Sequence, residues 1–237
     1  MGKTNEKLLI KGKRLDGRGP NDIRDMEMRV GVIPNANGSS FVRFGRTTAI
    51  GAVYGPRPLF PRFLRESDTG ILKVRYNMIP FSVDERIRPG PSRRETEISK
   101  VIRTAFEGNL FLKNYPQTVV DVYVEIIQAD GSTRVTSINA ASLALADAGV
   151  PMRDLVVGLS GGKIDDTLVL DLNGIEDNNS EADIPMAILP TKKEVTLLQM
   201  DGRLKPEEVK DIVKNVINAS KKIYEKQVEA LRTNYNE

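Results

Sequence analysis

Hydrophobic and polar positions change period several times along this 237-residue chain. Stretches with period-two alternation, rich in β-branched and aromatic residues, predict strands over residues 23–33, 39–44, 47–54 and 71–81. A turn at Asn35-Ala36-Asn37-Gly38 separates the first two, and Gly55-Pro56-Arg57-Pro58 is expected to stop the third. At Ser92 the period becomes helical. Ser92 and Glu95 have the spacing of a capping box, and Ile98, Val101, Ile102, Ala105, Phe106 and Leu110 recur on one face.

The second half alternates in the same way. A β-branched strand is predicted over 118–128 and a helix over about 134–148, closed by Gly149 and Pro151. Strands at 155–164, 167–172, 182–189 and 194–200 lead to a long amphipathic helix beginning near Pro206. Its apolar face carries Val209, Ile212, Val213, Val216, Ile223 and Leu231. The first dozen residues read as a mobile arm. The mixture predicts an α/β (α+β) protein of mixed sheets packed with helices, one domain over 1–237 with two similar halves at about 15–150 and 151–237.

Composition narrows the chemistry. The absence of Cys excludes disulfides and thiol catalysis, and the absence of His excludes histidine acid–base work. An enzyme of this composition works with carboxylates, arginines, lysines, backbone amides and a hard metal on oxygen ligands. No apolar run approaches the about 20 residues of a membrane span. The lysine-rich start has no apolar core of a secretion signal, so the expected location is cytoplasmic and off the membrane.

The net charge of +3 is unevenly spread: residues 57–94 hold nine basic side chains against four acidic ones. Such a segment is either a solvated face or the footprint of a polyanion. Within it, Arg93 and Arg94 occupy a helix first turn, where the macrodipole prefers acidic side chains. An anion docked there would reverse that small cost. Solvated arginines are the alternative.

Gly131-Ser132-Thr133-Arg134 forms a second candidate cradle, with backbone N–H groups at the start of an apolar helix and a fixed charge beside them. A hydroxyl N-cap followed by an exposed arginine is the simpler alternative. Residues 158–164 resemble a P-loop, but the stretch is one residue short and has Ile164 where Ser or Thr must hold magnesium; it reads as a β-turn region between strands. The stretch 175–183 carries Glu176, Asp177, Glu181 and Asp183 in a polar loop ahead of an apolar strand. Asp183 stands at the strand mouth, where a rigid element can hold it against a substrate. Two arginine sites and one acid site suggest phosphoryl transfer on a polyanion.

Several segments together resemble the RNase PH family of phosphorolytic 3′→5′ exoribonucleases. They are Arg14-Leu15-Asp16-Gly17-Arg18, Ala52-Val53-Tyr54-Gly55-Pro56-Arg57, Pro91-Ser92-Arg93-Arg94-Glu95, Gln128 to Arg134, and Glu176-Asp177 with Glu181-Ala182-Asp183. Pro80-Phe81-Ser82 with Asp84-Glu85-Arg86, and the stretch Ala140 to Met152, are most similar to the catalytic RNase PH-type subunits of archaeal exosomes.

The resemblance implies a fold like domain 2 of ribosomal protein S5 and inorganic phosphate as the nucleophile on single-stranded RNA. It also implies a six-membered ring shared with a non-catalytic RNase PH-like sibling and capped by S1/KH-type RNA-binding proteins. Ser132, Thr133 and Arg134 would hold phosphate. Arg93 and Arg94 would contact the RNA backbone, with Arg62, Arg65 and Arg86 along its path. Asp177 and Asp183 would bind Mg2+ or protonate the leaving 3′ oxygen, Asp183 being the essential acid. A homohexamer trimming tRNA ends and a non-catalytic RNA-binding ring subunit are the rival readings. The chain departs from the pattern at Ser132, where relatives often have glycine, and at Asn178-Asn179-Ser180, which replaces an aromatic-glycine pattern.

Overall fold

A computed structural model describes residues 7–235. The strands are β1 (Leu9–Ile10), β2 (Lys13–Arg14), β3 (Met26–Val30), β4 (Gly38–Phe44), β5 (Thr47–Pro58), β6 (Ile71–Met78), β7 (Thr118–Gln128), β8 (Val157–Ile164), β9 (Thr167–Leu170), β10 (Ala182–Leu189), β11 (Glu194–Leu198) and β12 (Asp201–Gly202). The helices are α1 (Arg93–Glu107), α2 (Thr133–Asp147), α3 (Gly174–Asn179) and α4 (Pro206–Tyr235). The expected α/β class is correct.

Two five-stranded sheets form the frame, one in the order β3-β4-β5-β7-β6, the other β11-β10-β8-β9 with β12 beside β10. Among the described residues only β6 and β7 pair in parallel, and α1 is the crossover that such a connection requires. Helix α2 packs between the sheets, against β4 and β5 on one side and β8 on the other. Its Ile138, Leu143 and Leu145 are fully buried.

Glycines let the sheets approach it. A Cβ on Gly51 would stand 2.9 Å from the Ala140 carbonyl oxygen, and one on Gly158 would stand 2.6 Å from that of Val135. Polar groups on α2 are satisfied by the sheets: Asn139 Nδ2 donates to the Gly158 carbonyl at 2.7 Å and its Oδ1 accepts the Gly158 amide at 3.1 Å. The start of α2 is therefore held fixed from both sides.

Several expectations need correction. Residues 1–6 of the expected arm lie outside the described residues, but β1 and β2 form a hairpin, with Leu8 buried and Asp165 Oδ2 accepting the Leu8 amide at 2.6 Å. Strand β5 does not stop at Tyr54. A bulge between Tyr54 and Arg57 absorbs the Gly-Pro step, and pairing with β7 resumes at Arg57 and Val119. The P-loop look-alike is no turn but β8, buried along its whole length, whose glycines make room for α2 and α4. The polar loop after residue 172 contains α3, begun by a capping box of Asn173 and Glu176. Helix α1 ends at Glu107, and Leu110 bridges to Met152 instead.

Candidate active site

Helix α1 begins as its capping box dictates: Ser92 Oγ accepts the Glu95 amide at 3.1 Å and Glu95 Oε2 accepts the Ser92 amide at 2.7 Å. Arg93 and Arg94 follow in the first turn, both exposed. Of the two, Arg94 points into a cavity shared with the start of α2.

The turn before α2 is left-handed at Gly131 (φ +72°) and at Ser132 (φ +54°). A side chain on Gly131 would meet the Asn173 backbone at 2.5 Å, so this position accepts only glycine. Ser132 is not a hydroxyl N-cap. Its Oγ donates to the Leu172 carbonyl at 2.7 Å and lies 2.8 Å from Ser160 Oγ. With no N-cap side chain over it, the first turn of α2 offers its amides to the cavity at the positive end of the helix. Arg134 stands beside them, 3.5 Å from Glu97, and its buried Nε has no hydrogen-bond partner among the described residues.

Opposite stand the acids. Asp177 sits one residue beyond the α3 capping box, and Asp183 is the second residue of β10, level with Gly162 of β8 and Asp201 of β12. Burial pushes the Asp183 carboxyl up to about 7; the Asp177 charge adds to this and Arg134 opposes it. Burial also raises Asp177, against the pull of Arg94 and Arg134. Asp183 Oδ1 is buried without a hydrogen-bond partner among the described residues. Half-protonated near neutral pH, Asp183 is able to donate a proton.

These groups share one cavity of about 620 Å³. It brings together Arg94, Ser132, Thr133, Arg134, Asp177 and Asp183. Arg93, Arg62, Arg65 and Arg86 do not line it. Arg62 is exposed in a 3-10 turn, and Arg65 donates to the Leu59 carbonyl at 2.8 Å and stacks 5.3 Å from the Phe60 ring. Arg86 is exposed in the loop before α1. Sequence reasoning missed Ser160, Gln199 and Asp201, which also line the cavity. Only sheet register carries Asp201 to Asp183, and a two-residue strand leaves no periodic signal.

A second cavity of about 530 Å³ lies among Lys73, Arg75, Lys100 and Arg103. The carboxylate lining it, Asp121, is already paired with Arg57 at 2.7 Å. It lacks a free acid, so the chemistry belongs to the first cavity.

A two-sheet α/β fold thus brings two arginine-bearing helix starts and two buried carboxylates to one cavity. The chain belongs to the RNase PH-type 3′ exoribonuclease family, whose domain 1 matches residues 22–151 and whose domain 2 matches 154–217. It is 54% identical to the exosome complex component Rrp41 of Thermococcus gammatolerans, over 99% of this chain and 95% of that protein. The Pyrococcus furiosus protein of the same name is 56% identical over 94% of this chain and 90% of its own length.

Among solved structures, rice Rrp46 is 23% identical and superposes with a TM-score of 0.83, covering 92% of this chain and 100% of that one. The Archaeoglobus fulgidus exosome with RNA bound to the active site gives a TM-score of 0.78 at 23% identity, covering 90% of this chain and 92% of that one. These two structures establish the expected RNase PH fold. Among the described residues, no helix is long and apolar enough to cross a membrane.

Proposed function

We propose that the protein is a phosphate-dependent 3′→5′ exoribonuclease that shortens single-stranded RNA to nucleoside diphosphates. The observation that carries this reading is the meeting, in one cavity, of the uncapped α2 start and Arg134 with the acids Asp177 and Asp183. Inorganic phosphate sits on the amides of Thr133 and Arg134 and beside Ser132, with the Arg134 guanidinium offsetting its charge. Arg94 holds the last phosphodiester of the RNA, and Arg93 the backbone further out.

A phosphate oxygen attacks the terminal phosphorus, the bond to the preceding 3′ oxygen breaks, and Asp183 delivers its proton to that oxygen. Two approaching phosphates repel each other, and fixed cations lower that barrier without reorganising. The product keeps its phosphoanhydride, so excess nucleoside diphosphate drives 3′ tailing.

The donor set fits Mg2+: hard carboxylate oxygens, one of them unpartnered, facing a site for substrate phosphates. No group of three or more acids able to hold a metal ion occurs among the described residues, so the ion would rest on Asp177, with Asp183 when ionised, and on substrate oxygens. When bound it supplies charge stabilisation at the phosphoryl oxygens.

Relatives more than half identical to this chain are named as exosome complex components, which supports assembly of this chain into an exosome; the family resemblance implies a heterohexameric ring with a non-catalytic sibling, capped by S1/KH-type proteins. The test is RNA incubated with the assembled ring, with and without phosphate. Diphosphates released only with phosphate are expected; monophosphates, or indifference to phosphate, overturn the mechanism. If the chain were a binding subunit only, Asp183→Ala would leave ring activity untouched.

A further inference from the structure

Beneath the cavity lies an ion cluster that the proposed chemistry does not use. Arg14, with its side chain fully buried, donates through Nε to Glu176 Oε1 at 2.6 Å and through Nη2 to Glu176 Oε2. The same guanidinium binds the carbonyls of Leu170 at 2.6 Å and Asp171 at 2.8 Å. Arg24 grips Asp171 with two prongs, Nε to Oδ2 at 2.9 Å and Nη2 to Oδ1 at 2.7 Å. Its remaining nitrogen donates to the Asp130 carbonyl at 2.7 Å. Asp130 Oδ1 in turn accepts the amide of Gly174, the first residue of α3, at 3.1 Å.

Burying so many charges is a poor way to gain stability, because desolvation offsets most of the attraction. The arrangement has a different consequence. Helix α3 has six residues, and Glu176 is its one buried side chain. A helix that short has no stability of its own. With Ile175 55% exposed, α3 also has no apolar anchor. The grip of Arg14 on Glu176, with Arg18 Nη2 3.6 Å from the same carboxylate and Asp130 holding the Gly174 amide, ties α3, and therefore Asp177 one residue on, to the rest of the fold. The reach of Arg24 from Asp171 to the Asp130 carbonyl joins the Thr47 hydroxyl, which donates to the Gly131 carbonyl at 2.8 Å, and the Ser132 bond to Leu172 in holding the turn that carries Gly131 and Ser132.

We propose that Arg14 and Glu176 are positioning residues for Asp177, and that Arg24 and Asp171 are positioning residues for the anion-binding turn. One buried ion network then sets the spacing between the phosphate site and the acid site. This rests on the phosphorolytic reading above.

The experiment is a kinetic cycle on the full chain in its assembled form, with Glu176→Gln, Asp177→Asn, the double variant and, separately, Arg24→Lys. Glu176→Gln should lower kcat on the order of tenfold, since small misplacements of a catalytic group are expensive. In the Asp177→Asn background the same change should cost less than about twofold, the mark of residues acting through one another. Arg24→Lys should raise the KM for phosphate by on the order of tenfold with a smaller change in kcat.

A purely structural role predicts instead a loss of folded protein that multiplies with the Asp177→Asn loss and leaves both KM values alone. That result overturns the proposal. Circular dichroism measures the folded fraction, and Arg14→Lys replaces Glu176→Gln in the cycle if the latter does not fold. Wild-type RNA cleavage that ignores phosphate overturns the phosphorolytic reading, while the cycle still judges Glu176. A wild-type ring with no activity overturns both.

Discussion

Glu176 and Asp177 are consecutive acids on one turn of helix, and the protein treats them in opposite ways. Glu176 is 1% exposed and held by the Arg14 fork, at the centre of a cluster where each carboxylate has a guanidinium. Asp177 lines the cavity with Asp183, whose buried Oδ1 has no hydrogen-bond partner among the described residues, and with Arg134, whose buried Nε has none among them either. A satisfied buried charge defines a shape. An unsatisfied one is held at a cost that only a bound ligand repays. The two regions are a few residues apart in sequence but divide the labour between building the site and using it.

The sharpest way to break this comparison is to neutralise one charged side chain on each side. Asp183→Asn should lower kcat by roughly 10²–10⁴-fold, the range for loss of a positioned acid, while the protein melts no lower than the wild type. Arg24→Met should do the reverse in kind. Stripping Asp171 of its two-pronged partner, with only the residue-24 amide and Arg18 at 3.5 Å left, costs up to about 3–5 kcal/mol, visible as a fall in denaturant midpoint with unchanged slope. If Asp183→Asn unfolded the protein, or Arg24→Met left it as stable, the division drawn here would be wrong.

A smaller effect separates the two arginines of α1. Arg94 lines the cavity and Arg93 does not. Loss of a charged hydrogen bond is worth about 1.5–3 kcal/mol, so Arg94→Gln should raise the KM for RNA by roughly tenfold or more. Arg93→Gln, acting as a solvated charge, should move it by less than about threefold, with the effect fading as salt rises. Equal losses from both would place the RNA across the outer face of α1 rather than in the cavity. Arg134→Gln belongs with Arg94 in size, but should act on the KM for phosphate.

The legible parts of the molecule are those written in local pattern. Ser92, Glu95 and the apolar face from Ile98 to Phe106 specify α1 without help from the rest of the chain, and that fixed Arg94 at a helix start. The missing His and Cys left carboxylates as the natural acid–base groups, which made Asp183 visible as a candidate. What stayed hidden depends on distant partners. The strand over 155–164 is legible and matches β8, but its glycines also mimic a turn locally; α2 and α4, pressing on Gly158 and Gly161, explain why they are strand residues. Arg14 and Glu176 pair across 162 positions, so neither reveals the other. The Asn173-x-x-Glu176 box was readable in principle, but a segment whose one apolar residue, Ile175, is exposed conceals a helix anchored by an ion pair. Asp201 reaches the site only through sheet register.

A pH-dependent effect sharpens the comparison most finely, because it reads the cost of the buried carboxylate directly. Asp183 has its folded pKa raised from 3.8 to about 7. Between those values the unfolded chain has released this proton while the folded protein still holds it. Folding stability from this group therefore falls as pH rises through that window and is flat on either side. Asparagine carries no charge at any pH and escapes this loss. The Tm of Asp183→Asn minus that of the wild type should grow between about pH 4 and pH 7, by on the order of ten degrees, and stay constant above. Measured without phosphate, metal or RNA, a difference that is constant from pH 4 to 8 would mean that Asp183 is already paired, and that the cavity holds no stored demand for a ligand. Added phosphate should not close the gap, since its place is at the α2 start and an anion there gives Asp183 no counter-charge.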